Sequence, residues 1–110
     1  MAKYEDRIGL TFLALSDPTR RHVVERLARG PATVSELAAE HDLSLPGMMK
    51  HLRVLEDADL LRSAKDGRVR RCVLSARPMR SAWRYLETYR RLWEQRFDAL
   101  AALLESKKEK

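Results

Sequence analysis

The sequence predicts a mainly α-helical domain with one small β-hairpin and an extra helix at each end, and three observations predict it. Apolar residues recur at helical spacing in segments separated by capping residues, prolines and glycines. An Asp-Gly pair, Asp66-Gly67, sits between two short stretches that read as strands. The last third of the chain carries one long helical pattern, and 110 residues suffice for a single domain spanning 1–110.

Each element follows from local signals. Residues Tyr4 to Ala14 begin the helical pattern, with Ile8, Phe12 and Leu15 at helical spacing. Asp17 then caps a second helix whose first position is Pro18, and this helix runs to Arg29 with Val23, Val24 and Leu27 inward. Gly30 and Pro31 end it. Thr33 and Glu36 have the spacing of a capping box and open a helix of barely two turns that closes at His41 and Asp42. Ser44 caps a fourth helix, whose Met48, Leu52 and Leu55 recur at steps of four and three. The stretch LLRSAKDGRVRRCVLS folds back on itself as a hairpin around Asp66 and Gly67. From Pro78 a final helix extends to about Glu105, with KKEK as a solvated tail.

Composition narrows the function. Short apolar runs exclude a membrane-spanning chain, and 45% hydrophobic residues exclude a disordered one. Lys and Arg number 22 against 16 Asp and Glu, giving +6, which favours an anionic partner such as nucleic acid or an acidic lipid surface. The lone Cys72 makes no intrachain disulfide and no thiolate cluster, and the start MAKYEDRIGL lacks the pattern of a secretory signal. Both point to a reducing compartment, the cytoplasm.

Two short helices joined by a tight turn, then a hairpin, describe a winged helix-turn-helix: helix-turn-helix at about 33–58, wing at about 60–74, dimerisation helix at about 78–105. The stretches ALSDPTRRHVVERLA, TVSELA, LSLPGMMKHLRVLEDADLL and DGRVRRCVLSARPM make the chain resemble the ArsR/SmtB family of bacterial transcriptional regulators over nearly its whole length. DPTR at a helix start, SELA, the turn LS and P-x-x-x-KHL-x-VL together carry the resemblance.

With Met48, Leu52 and Leu55 turned inward, the outward positions of the fourth helix are Leu45, Pro46, Gly47, Met49, Lys50 and Arg53. Ser44 and the helix N-terminus offer N–H groups to a phosphate, Lys50 and Arg53 reach phosphates or guanine edges, and Gly47 permits close approach. Met49 suits a thymine methyl or a packing role. The resemblance implies direct contacts from Ser44, Gly47, Met49, Lys50 and His51, with His51 near the backbone. On the hairpin, Lys65, Arg68 and Arg70 lie nearest the turn and suit phosphates or the minor groove, while Leu61, Cys72 and Leu74 share the face that anchors it.

The final helix carries Met79, Trp83, Leu86, Arg90, Trp93, Phe97, Leu100 and Leu104 at alternating steps of four and three, apolar throughout except Arg90. A second stripe runs through Ala82, Tyr85, Tyr89, Leu92, Ala99 and Leu103. One small domain covers one stripe and not both, so a second subunit is expected on the other. The resemblance implies that this helix pairs with the first across a two-fold axis, bringing in Tyr4, Ile8 and Phe12.

The third helix has no cysteine pair and the final helix no His or Cys, so the metal sites that many such regulators carry are not expected; neither is any other cofactor. His22, His41 and His51 read as surface, capping or backbone-contacting groups. No nucleophile with a neighbouring base and no phosphate-cradling glycine loop is legible, so no enzyme is expected. The resulting expectation is a homodimeric repressor on a palindromic operator of double-stranded DNA, with any inducer unknown. Two other readings stand beside it: a membrane-surface or protein-docking module using the final helix, which Glu87, Glu94, Asp98 and Glu105 disfavour for lipid, and a non-specific nucleoid-type DNA binder.

Overall fold

A computed structural model describes residues 6–108. Tyr4, expected at the dimer contact, lies outside them. The elements are α1 (Arg7–Leu15), α2 (Pro18–Ala28), β1 (Ala32–Thr33), α3 (Val34–Glu40), α4 (Leu45–Asp57), β2 (Leu61–Asp66), β3 (Val69–Leu74) and α5 (Arg77–Lys108).

The α1–α2 corner shows why DPTRR occurs where it does. Asp17 caps α2 by accepting from the Arg20 N–H at 3.1 Å, and Pro18 occupies the first turn. Arg20 then reaches back to the Leu13 and Ala14 carbonyls, at 3.1 and 2.7 Å, and Arg21 to the Leu15 carbonyl at 2.7 Å. The Leu13 carbonyl also accepts from Ser16, whereas those of Ala14 and Leu15 lack a helical N–H, and the guanidinium groups supply donors and favourable charge. At its other end α1 is capped by Asp6, which accepts from the Gly9 N–H.

The capping box predicted at Thr33 and Glu36 is present in both directions, and the hydrogen bond from the Thr33 N–H, then that of its side chain, holds the Glu36 carboxyl below the usual carboxylate range. Helices α3 and α4 end in the same way. Leu43 N–H bonds the Ala38 carbonyl and Asp42 N–H that of Ala39; likewise Leu60 N–H bonds Leu55 and Asp59 N–H bonds Glu56. Both are Schellman motifs, with Asp42 (φ 54°) and Asp59 (φ 59°) in the left-handed position. Asp59 stands at the exit position that glycine most often takes in such a motif. The backbone adopts the left-handed exit regardless, and Arg7 pairs with the Asp59 carboxylate from α1.

The expected hairpin is part of a three-stranded antiparallel sheet in the order β1-β3-β2. Strand β1, absent from the sequence reading, pairs Ala32 with Cys72 and Thr33 with Arg71. Two residues are too short for a periodic signal, so only the tertiary neighbour makes them a strand. The turn also lies one residue later than expected. Asp66 pairs with Val69, leaving Gly67 and Arg68 as the loop. Gly67 has φ 65°, the first central position that a type II′ turn gives to glycine.

The core joins Ala14, Val23, Leu27, Leu37, Met48, Leu52, Leu55, Leu60, Leu61 and Cys72. The inward residues predicted on α4 are all in it, and Leu61 and Cys72 anchor the hairpin as expected. Helix α1 differs from its apolar pattern, because it packs on the core through Thr11 and Ala14 while Phe12 and Leu13 remain exposed.

Helix α5 begins one residue earlier than expected and continues through Lys107 and Lys108 of the presumed tail. At 1.5 Å per residue it is about 48 Å long. Its only buried residue is Ala82, and everything described beyond Glu87 is exposed. The radius of gyration is 19.6 Å, against about 13 Å for a compact chain of this length.

Candidate nucleic-acid interface

Helix α4 enters its first turn through Ser44, whose hydroxyl accepts from the Gly47 N–H at 3.1 Å. This gives Gly47 a local reason beside any close approach of DNA: a Cβ there would stand 3.1 Å from the Ser44 hydroxyl that caps the helix. Ser44, Leu45, Pro46, Lys50 and Arg53 are exposed, as the helical spacing predicts. Met49 is not fully outward. It is partly buried against the core cluster, the packing role left open by the sequence.

His51 is half-buried between α4 and the start of α2. Its Nδ1 lies 3.3 Å from Arg20 Nη1 and 3.7 Å from the Asp17 carboxylate. The Asp17 carboxyl is held below its ordinary value, first by the hydrogen bond from the Arg20 N–H and then by the charges of His51 and Arg20, against partial burial. Arg20, which the sequence reading did not single out, thus links the end of α1 to the candidate recognition helix. Its signal is tertiary, since no helical spacing relates residue 20 to residue 51.

On the hairpin, Lys65, Arg68 and Arg70 are all exposed. Lys65 pairs with Arg70 across the ladder, so both extend the face that Leu61 and Cys72 bury at the base. Arg70 is also tethered: its Nη1 donates to the Ser63 hydroxyl at 3.0 Å, which donates to Glu56 of α4 at 3.1 Å. Ser63 and Glu56, missed by the sequence reading, connect the hairpin to α4.

The remaining chemistry is structural. Burial pushes the Cys72 thiol up from its ordinary value, and with no exposed surface it fills the core. The His22 and His41 rings lie 6.4 Å apart, and His41 Nδ1 meets the Leu37 carbonyl at 2.8 Å. Among the described residues no three His, Cys, Asp or Glu side chains stand close enough to hold a metal ion. No described helix is long and apolar enough to cross a membrane.

The residues expected at a subunit contact form one exposed apolar surface along α5. Trp83 is 65% exposed, Trp93 52% and Phe97 60%, and Leu86, Tyr89, Leu100 and Leu104 are open alongside them. On α1, Ile8 is half-buried and Phe12 lies 6.2 Å from the Tyr85 ring.

Helix-turn-helix, three-stranded sheet with a basic hairpin and flanking helices define the class: a winged helix-turn-helix DNA-binding domain. The pattern of the family described as "Helix-turn-helix domain" matches residues 15–64. Of curated proteins, the HTH-type transcriptional regulator Rv2034 of Mycobacterium tuberculosis is 52% identical over 48 residues, 44% of this chain and 45% of that protein. The transcriptional repressor SdpR of Bacillus subtilis is 34% identical over 56 residues, 51% of this chain and 62% of that protein. The chain therefore aligns with about half the length of these relatives. A crystal structure of an ArsR family transcriptional regulator superimposes with a TM-score of 0.77 at 48% identity, covering 86% of this chain and 97% of that one. An ArsR-like transcriptional regulator from Rhodococcus sp. RHA1 gives 0.73 at 30% identity, covering 91% and 93%. A homodimeric winged helix-turn-helix DNA-binding domain of Mycobacterium bovis shares the fold at TM-score 0.64 and 17% identity, covering 87% and 86%. The chain belongs to the ArsR family of transcriptional regulators.

Proposed function

We propose that this protein is a homodimeric repressor that binds a palindromic operator, with the N-terminal half of α4 in the major groove and the β2–β3 hairpin as a wing on the flanking backbone. The observation that carries the reading is the exposed apolar face of α5, which a two-fold mate would cover. Two α4 helices related by that axis would meet half-sites about 34 to 36 Å apart, one DNA turn. Ser44, Pro46, Gly47, Met49, Lys50, His51 and Arg53 are the proposed groove and phosphate contacts, with Lys65, Arg68 and Arg70 on the wing. Met49 contributes only its exposed portion. Repression is favoured by the likeness to SdpR, and pairing by the homodimeric domain of the same fold. The regulated genes are proposed to be a small operon, controlled without a metal-sensing site.

Footprinting on genomic fragments combined with sedimentation tests the reading. The expected result is a dimer at micromolar concentration that protects a two-fold symmetric site. Uniform protection of all DNA would favour a nucleoid-type binder, and vesicle binding without DNA binding a membrane-surface module; either overturns the proposal.

A further inference from the structure

Arg90 is the one charged residue in the α5 seam, with Leu86 before it and Trp93 after it. Its guanidinium is held by three hydrogen bonds to two carboxylates. Nε donates to Glu87 Oε1 at 2.9 Å, Nη2 donates to the same oxygen, and Nη1 donates to Glu94 Oε1 at 2.8 Å. The three side chains lie on one helix face within two turns, beside a shallow groove walled by Trp83, Leu86 and Trp93.

A guanidinium has five N–H donors, so two remain, while Glu87 and Glu94 each keep Oε2 without a hydrogen bond among the described residues. The patch therefore offers both donors and acceptors at the centre of an apolar surface. Where the two-fold axis passes through the patch, the patch meets its own copy, donors facing acceptors, which satisfies every group without another kind of partner. Arginine suits this place better than lysine because its planar fork stays paired as the seam loses water. A charged residue at a seam position fixes register and partner at some cost in affinity.

We propose that the Glu87–Arg90–Glu94 triad is the specificity element of the subunit interface, admitting a second copy of this chain in a single register and rejecting apolar helices that lack a matching patch. This rests on the homodimer reading above.

The test uses charge swaps in the full chain. R90E leaves only carboxylates in the patch, and E87K/E94K leaves only cations. Each variant alone is expected to raise the dimer dissociation constant at least about tenfold, since like charges meet across the axis. Mixed in equal amounts, the two are expected to form heterodimers as tight as the parent dimer to within about tenfold. Circular dichroism should match the parent, because Arg90 and Glu94 are exposed and Glu87 is only half-buried on the helix surface. If either variant alone dimerises as tightly as the parent, or the mixture associates no more than its components, the proposal is wrong. A parent chain that is monomeric at about 50 µM overturns the homodimer itself, and the triad's role with it.

Discussion

Lys65 and Arg70 stand directly opposite each other across the β2–β3 ladder. Like charges in that position destabilise a hairpin in isolation. Asp66, the acid nearest in sequence, pairs with Val69 and so falls on the other face of the ribbon. The pair costs stability in the free protein and favours an anion, such as a phosphate, set between the two side chains.

Removing Arg68 and Arg70 together is therefore expected to weaken specific and non-specific DNA binding alike. The slope of log affinity against log salt should fall by about 1.8 if both meet phosphates. Thermal stability should hold or rise. Titrations at several salt concentrations check this, and an unchanged slope removes the hairpin from the interface.

Lys50→Ala should leave folding and dimerisation intact while lowering operator affinity. A lost base contact costs about 1 to 3 kcal/mol at one operator position, whereas a lost phosphate contact weakens all sequences equally and reduces the salt slope by about one. Competition between operator and random DNA distinguishes these outcomes.

Asp17 links stability to pH. Its carboxyl is held below its ordinary value in the folded chain, so its contribution is complete above the unfolded value and is lost as pH falls through the folded one. Asp17→Asn keeps an acceptor for the Arg20 N–H but does not titrate, and is expected to flatten the acid limb of the stability curve. Asp17→Ala removes the cap and should cost about 1 kcal/mol at pH 7. Urea unfolding between pH 3 and pH 7 (roughly the range in which carboxylates titrate) reads both.

Asp59 occupies a left-handed helix exit and is paired with Arg7. Glycine removes the Cβ conflict, and the exposed ion pair is worth little. Asp59→Gly should therefore be at least as stable as the parent, while Asp59→Ala should lose about 1 kcal/mol. Equal losses in both variants relative to the parent would show that the Arg7 pair, which both remove, governs the exit rather than the backbone.

Trp93→Glu or Phe97→Glu places a charge in the exposed α5 seam without altering any proposed DNA contact. Either is expected to give a monomer by sedimentation and to abolish protection of the operator. A dimeric variant that still binds would move the interface elsewhere on the chain.

Local chemistry made the frame legible in the sequence. Caps at Asp17, Thr33 and Ser44, and the steps of Met48, Leu52 and Leu55, depend on neighbours within a few residues, so they read directly. Gly67 announced the hairpin but not its register, which the ladder moved by one residue. Contacts between distant positions were decided by packing alone. Strand β1 exists because Cys72 and Arg71 of β3 lie beside it; His51 is engaged because α2 places Arg20 and Asp17 there; Arg70 is tethered because β2 carries Ser63 past Glu56. The sequence by itself determined which residues cap, turn and alternate, since those preferences arise within one turn of backbone. Only the tertiary structure decided which apolar faces meet: on α1 the small Thr11 and Ala14 enter the core, and the large side chains of α5 remain outside because one domain has no second surface to cover them.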